Sequence, residues 1–205
     1  MTLLRGHSWS AWSLIADIYL NLPDSNPTER TFKTERDWIT GTSIMKISII
    51  YHSYSGITRG IAGRIQGACG GDLIEVKPRK PYNRISAYTL GCIRARNEEA
   101  EPVDPATIDV ASSDFIIVGT PVWAWKTTPT TNGAINALVN CDGKKAYVFA
   151  TCGSQPGETI GIMKRALQQK GITVIGEFTL TRSDVNDEQK TAVLVQAVKE
   201  AAASL

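Results

Sequence analysis

The segment Tyr51-His52-Ser53-Tyr54-Ser55-Gly56-Ile57-Thr58 gathers hydroxyl groups, a glycine and the start of a helical pattern into eight residues. Together these make an anion site. Backbone N–H groups of a tight loop and of a helix N-terminus converge on one spot, and the helix dipole favours negative charge there. Ser53, Ser55 and Thr58 add hydroxyl donors, and Gly56 lets the backbone come close to a phosphate. No lysine follows the glycine, so the loop is not the GxxxxGK[ST] cradle of nucleoside triphosphatases, and it does not match GxGxxG. A serine-rich turn also serves as a plain helix cap.

The remaining reactive residue types are sparse. Four cysteines (Cys69, Cys92, Cys141, Cys152) lie far apart without a CxxC pair, and there are two histidines, His7 and His52. That arrangement gives almost no support to a zinc site and reads as reduced thiols rather than disulfides. Cys152 has no evident histidine partner and is expected to be a small packing residue, not a nucleophile.

These loops need strands and helices to hold them. Met45–Tyr51 is rich in β-branched residues and predicts a first strand. Ile61, Ala62, Ile65, Ala68 and Cys69 then recur on one helix face, ending at Gly70-Gly71. Leu73–Val76 is a short second strand. Phe115–Val118 and Ala146–Ala150 are continuous apolar runs, as expected of strands buried on both faces. Helical patterns pass through Ile135, Leu138 and Val139 and through Ile160, Met163, Ala166 and Leu167, the latter stopped at Gly171. Ile172–Ile175, extending toward Leu180, is a fifth strand, and a last helix starts near Asn186 with Asp187 and Glu188 at its positive end.

Five strands alternating with helices predict an α/β fold: a three-layer parallel sheet in the order 2-1-3-4-5, with helices on both faces. Ligands in such folds sit beyond the carboxyl ends of the strands. The long crossover 77–114 opens with Lys77, Arg79, Lys80 and Pro81. It continues into a helix with Ile85, Tyr88, Cys92 and Ile93 on one face, then an acidic turn at Glu98, Glu99 and Glu101. Those charges are expected to be solvated surface, with partner recognition as the alternative.

The 205 residues are 42% hydrophobic and 20% charged, enough for one domain with a sizeable core. No apolar run approaches the roughly 18 residues of a membrane span. Ala11–Ala16 lacks the flanks of a signal peptide, so a cytoplasmic location is expected. Residues 1–44 carry a net −1 and three tryptophans but no periodic core pattern; the remainder carries +3. The expectation for 1–44 is a poorly ordered or dispensable extension, or a start codon set upstream of Met45. A core charge of +3 is too weak to argue nucleic-acid binding.

A family resemblance emerges on three segments. The Ser53–Thr58 pattern [Ser/Thr]-x-[Ser/Thr]-Gly-x-Thr resembles the FMN-phosphate loop of flavodoxins. Gly119-Thr120-Pro121-Val122-Trp123-Ala124-Trp125 is similar to the family's Gly-[Ser/Thr]-Pro-x-Trp loop. Thr151-Cys152-Gly153-Ser154-Gln155-Pro156-Gly157 resembles its third flavin-contacting loop. Lys77–Tyr82 further resembles one branch of short-chain flavodoxin-like proteins. The resemblance spans residues 45–205 and implies FMN as cofactor. It would place the phosphate on Ser53, Tyr54, Ser55, Gly56, Ile57 and Thr58. The ring would lie against Thr120, Pro121, Val122, Trp123 and Trp125, with Thr151, Cys152 and Gly153 at its polar edge. A flat apolar ring needs such an aromatic wall.

The implied activity is electron transfer with redox partner proteins or a small donor or acceptor. No catalytic side chain and no metal are expected, because the flavin carries the chemistry. An FMN-dependent NAD(P)H:quinone or acceptor oxidoreductase is the alternative, and a flavin-free binding module reusing the fold is a third class. Carriers of this family are typically acidic, whereas this core is slightly basic. The sequence leaves the oligomeric state open.

Overall fold

A computed structural model describes residues 45–205, so the expectations for 1–44 lie outside the described residues. Strands β1 (Ile47–Tyr51), β2 (Asp72–Glu75), β6 (Phe115–Trp123), β9 (Lys145–Cys152) and β10 (Thr173–Thr181) form one parallel sheet. Their order is β2-β1-β6-β9-β10, the expected 2-1-3-4-5 arrangement in which β1 and β6 sit centrally. A short β7 (Lys126–Thr127) turns back antiparallel on β6. Two further pairs are two residues long: β3 (Lys77–Pro78) with β4 (Val103–Asp104), and β5 (Ile108–Asp109) with β8 (Leu138–Val139).

Alternate side chains of each strand go to opposite faces, and both faces are apolar. Ile47, Ile49, Phe115, Ile117 and Phe149 pack under α1 (Ile57–Cys69) and α7 (Glu188–Ala203), meeting Ile61, Ile65, Leu194 and Val198. Ile50, Ile116, Val118 and Val148 pack on the other face against α4 (Pro129–Asn136) and α5 (Thr159–Gln169), through Ile135, Met163 and Leu167. Asp187 caps α7 by accepting from the amides of Gln189 and Lys190, and α6 (Arg182–Val185) precedes it. Among the described residues no helix is long and apolar enough to cross a membrane.

Three local expectations need correction. Gly119–Trp123 is strand rather than loop: β6 runs on to Trp123 and reverses in a two-residue turn at Ala124-Trp125. The helix through Ile135 stops at Asn136, and Leu138 and Val139 form a bridge with Ile108 and Asp109 instead. In the crossover, α2 (Arg84–Ser86), a π-helical turn (Ala87–Gly91) and α3 (Cys92–Arg96) follow one another directly. The small residues Ala87, Gly91 and Ala95 are the buried ones there, while Ile85, Tyr88 and Ile93 face solvent. The inward space is already taken by a tryptophan from β6.

Candidate functional site

The carboxyl ends of β1, β6 and β9 meet at the start of α1. Gly56 is its N-cap, at φ +89° and with open space where a Cβ would stand; no side chain caps the helix. The first N–H groups of an α-helix have no partner inside the helix, so those of the first turn are available to an external acceptor. The Gly56 amide donates to Ser53 Oγ at 3.1 Å, which folds the loop back on itself. Thr58 Oγ1 lies 2.8 Å from Thr151 Oγ1, both buried, fastening the cradle to the end of β9.

Beside the cradle opens a cleft of about 320 Å³, lined from the expected segments by Tyr54, Ser55, Ile57, Pro121, Val122, Trp123, Thr151, Cys152 and Gly153. Clefts of this size and mixed lining accept flat organic ligands. Gly56 and Thr58 stand behind this lining at the helix start, and Ser53 lines an adjoining cleft with His52, Tyr82 and Arg79. Two expected residues fall elsewhere. Thr120 is fully buried with its hydroxyl 2.8 Å from that of Thr131, part of a hydroxyl ladder with Thr128 under the sheet end. Trp125 is 58% exposed and does not line the cleft.

Trp123 is held by three rings. His52, Tyr54 and Tyr82 meet it edge to face, with centroids at 6.4, 5.5 and 5.3 Å. Such pairs contribute about 0.5–1.5 kcal/mol each beyond area burial. Gly91 of the π-turn packs on the indole so closely that a Cβ there would stand 2.5 Å from Cζ3. The wall is therefore set by the crossover as much as by β6.

That crossover is anchored through Glu101, which accepts from Tyr82 Oη at 2.7 Å, Arg94 Nη1 at 2.8 Å and Thr130 Oγ1 at 2.6 Å. Arg94 also donates to Tyr82 Oη and to Glu99. Burial, reinforced by the Glu101 hydrogen bond, pushes the Tyr82 phenol up to about 12, so it stays a donor at neutral pH. Glu101 is thus buried and paired, not part of a solvated acidic turn; Glu99 pairs with Arg94, and Glu98 with Lys126 and Arg165.

Burial raises the Cys92 and Cys152 thiols, which keeps both protonated beside the cleft. His52 donates from Nδ1 to the Val76 carbonyl at 3.0 Å, since a carbonyl only accepts; Nε2 is buried and unpartnered. Burial holds its pKa below the ordinary value, so the ring is neutral.

The cleft also takes Ala87, Tyr88, Cys92 and Arg182, which sequence reasoning did not assign to it. Arg182 follows β10 directly, so its signal was the carboxyl end of the fifth strand. Tyr88 and Cys92 reach the cleft from the crossover, which no local motif announces. Among the described residues Arg182 makes no ion pair, leaving a cation at the lip.

The flavodoxin family model matches residues 46–174. No curated protein sequence matches the chain. Among solved structures, a candidate flavoprotein from Bacteroides eggerthii is 21% identical with a TM-score of 0.61, covering 75% of this chain and 98% of that one. A flavoprotein from Lactobacillus acidophilus, solved in complex with FMN, is 20% identical with a TM-score of 0.53, over 66% and 93% of the two chains. An NADH:FMN oxidoreductase in its apo form is 16% identical with a TM-score of 0.53, over 78% and 90%. At these identities the structures share the fold. The family model covers well over half of the 205 residues, and the chain belongs to the flavodoxin family.

Proposed function

We propose that this protein binds FMN in the cleft between Tyr54, Trp123 and Cys152 and exchanges electrons with other proteins. The observation that carries the reading is the uncapped N-terminus of α1 opening beside an aromatic-walled cleft. An anionic phosphate and a flat apolar ring need those two environments side by side. Family membership supports FMN over other phosphate esters. The bound flavin supplies the redox chemistry.

The chain's own part is to hold and surround the cofactor. Ser55, Gly56, Ile57 and Thr58 present backbone amides and hydroxyls to the phosphate, with Ser53 bracing the loop. Thr58, held 2.8 Å from Thr151 Oγ1, would set the first turn of the helix that holds the phosphate. Trp123, with Tyr54, walls the ring and excludes water, and Pro121, Val122, Thr151, Cys152 and Gly153 complete its surround. Arg182 places positive charge at the polar edge of the cleft. Thr120 braces the sheet end through Thr131, and Trp125 stands outside the cleft in the turn.

Titrating the flavin-stripped protein with FMN tests this directly. Binding is expected to quench flavin fluorescence and shift its visible absorption at one equivalent; unchanged spectra would refute the reading. The second reading, an NAD(P)H-dependent oxidoreductase, is favoured by the slightly basic core and by the fold it shares with an NADH:FMN oxidoreductase. Rapid bleaching of the bound flavin by NADH or NADPH would select it over the carrier.

A further inference from the structure

Residues 77–97 contain six basic side chains and no acidic one. The structure divides them by use. Arg94 is consumed by Glu99 and Glu101, Lys77 lies 3.9 Å from Glu75, and Arg79 Nε donates to the Val103 carbonyl. Lys80, Arg84 and Arg96 make no ion pair among the described residues, and neither does Arg182 across the cleft. The nearby acids are mostly ion-paired: Glu75 with Arg59 and Lys77, and Glu98 and Glu158 with Lys126. Asp104 in the adjoining cleft and Asp184, which is hydrogen-bonded only to Thr181, are the exceptions, against the four unpaired cations Lys80, Arg84, Arg96 and Arg182 among the described residues. The uncompensated charge around the cleft is positive.

The same segment exposes its large apolar side chains. Ile85 is 77% exposed, Tyr88 74%, Leu90 53% and Ile93 58%. Single exposed apolar residues are ordinary, but Ile85, Tyr88 and Ile93 share one side of this helical segment and make a patch, with Leu90 exposed on its flank. Tyr88 carries that patch to the lip of the cleft, which it lines with Ala87 and Cys92. An apolar centre beside a charged, desolvatable rim is how transient protein interfaces are built.

We propose that the face carrying Ile85, Tyr88, Leu90 and Ile93, rimmed by Lys80, Arg84 and Arg96, docks an acidic protein that exchanges electrons at the cleft. The choice of a redox partner rests on the electron-transfer reading above. The acidity of the partner follows from the charge left over on this face. An anionic lipid surface fits less well. The segment is fixed to the fold by the Arg94–Glu101 pair and by Gly91 against Trp123, and Ser86 and Thr89 interrupt its apolar side chains. It cannot sink as a unit into a headgroup layer.

The test uses the full chain with an acidic plant-type ferredoxin and basic cytochrome c as probes, read by NMR chemical-shift perturbation. Salt is varied from about 0.01 M to about 0.1 M, where the screening length falls from about 30 Å to about 10 Å. The ferredoxin is expected to bind with shifts at Ile85, Tyr88, Leu90 and Ile93, at least tenfold more weakly at the higher salt. The Arg84→Glu/Arg96→Glu variant should lose at least tenfold in affinity while its FMN titration stays unchanged. Equal binding of the two probes, or an unaffected double variant, overturns the proposal. So does binding to phosphatidylglycerol vesicles in place of the ferredoxin, self-association that buries Ile85 and Ile93, or shielding of the patch by residues 1–44. Failure to bind FMN would remove the redox reading alone, because docking is scored independently of the flavin.

Discussion

Replacing Gly91 by alanine tests whether the crossover sets the position of the aromatic wall. Gly91 lies in helical backbone, at φ −61°, where alanine is favoured over glycine by about 1 kcal/mol. By local propensity alone the substitution stabilises. The new Cβ, however, would stand 2.5 Å from Trp123 Cζ3 and 3.0 Å from Cε3, against the roughly 3.5–4.0 Å of a relaxed carbon contact. The indole must therefore move by about 1 Å, and overpacking of this kind costs about 1–3 kcal/mol. Net stability should fall by about 0–2 kcal/mol. FMN affinity should fall about five- to tenfold, because a displaced wall forfeits roughly one aromatic contact of about 1 kcal/mol. Thermal melts of the apoprotein and fluorescence titration with FMN read the two effects. A cycle with Trp123→Leu isolates the cause: with the indole gone, Gly91→Ala should become stabilising by about 1 kcal/mol. Stabilisation in the wild-type background with unchanged FMN affinity would refute the argument.

Glu101→Ala removes a buried acceptor of three hydrogen bonds and should destabilise by about 3 kcal/mol. For a domain of this size that lowers the melting temperature by about 6–12 °C, and a fall under 2 °C would show the network to be dispensable. Trp125→Gly should stabilise by about 1 kcal/mol, because Ala124 and Trp125 both have positive φ (50° and 64°) in a two-residue hairpin turn that favours Asn-Gly. Its FMN titration should be unaltered; a tenfold loss would return Trp125 to the ring wall. The depressed pKa of buried His52 makes the unfolded chain bind the extra proton first. Stability conferred by the neutral ring is complete above about pH 6.5 and is lost as pH falls from there through the folded-state value. The slope is at most about 1.4 kcal/mol per pH unit. Denaturant midpoints measured from pH 7.5 to 5.5 should show this slope flatten in His52→Gln, and an identical slope in the variant would count against it.

The sheet was legible because its signals are local. Continuous apolar runs at Phe115–Val118 and Ala146–Ala150 specify strands covered on both faces, and the helical spacing of Ile61 and Ile65 places α1 over one of them. The end of β6 was not legible for an equally physical reason. Gly119-Thr120-Pro121 reads as a break, yet β1 ends at Tyr51 opposite Gly119, so Pro121 has no partner on β1. A proline without an N–H is tolerated on such an edge, and β6 continues by pairing Pro121 with Thr151 on its other side.

The site divides in the same way. Its phosphate end is written in consecutive residues, because a turn, a glycine and a helix start must be adjacent in sequence to make a cradle. Its ring end is assembled from groups far apart in the chain. Glu101 sits among surface-type charges in sequence and becomes a buried anchor only because Tyr82, Arg94 and Thr130 arrive from three other segments. The apolar residues at 85, 88 and 93 should have faced inward by hydrophobicity alone. They were turned out because the inward positions go to the small residues Ala87, Gly91 and Ala95, with Gly91 packed against the Trp123 indole. Placing that tryptophan against the helix thus fixes the wall of the cleft. The same packing leaves an apolar, basic face beside it, so the shape of the cofactor site and the chemistry of its surroundings follow from one contact.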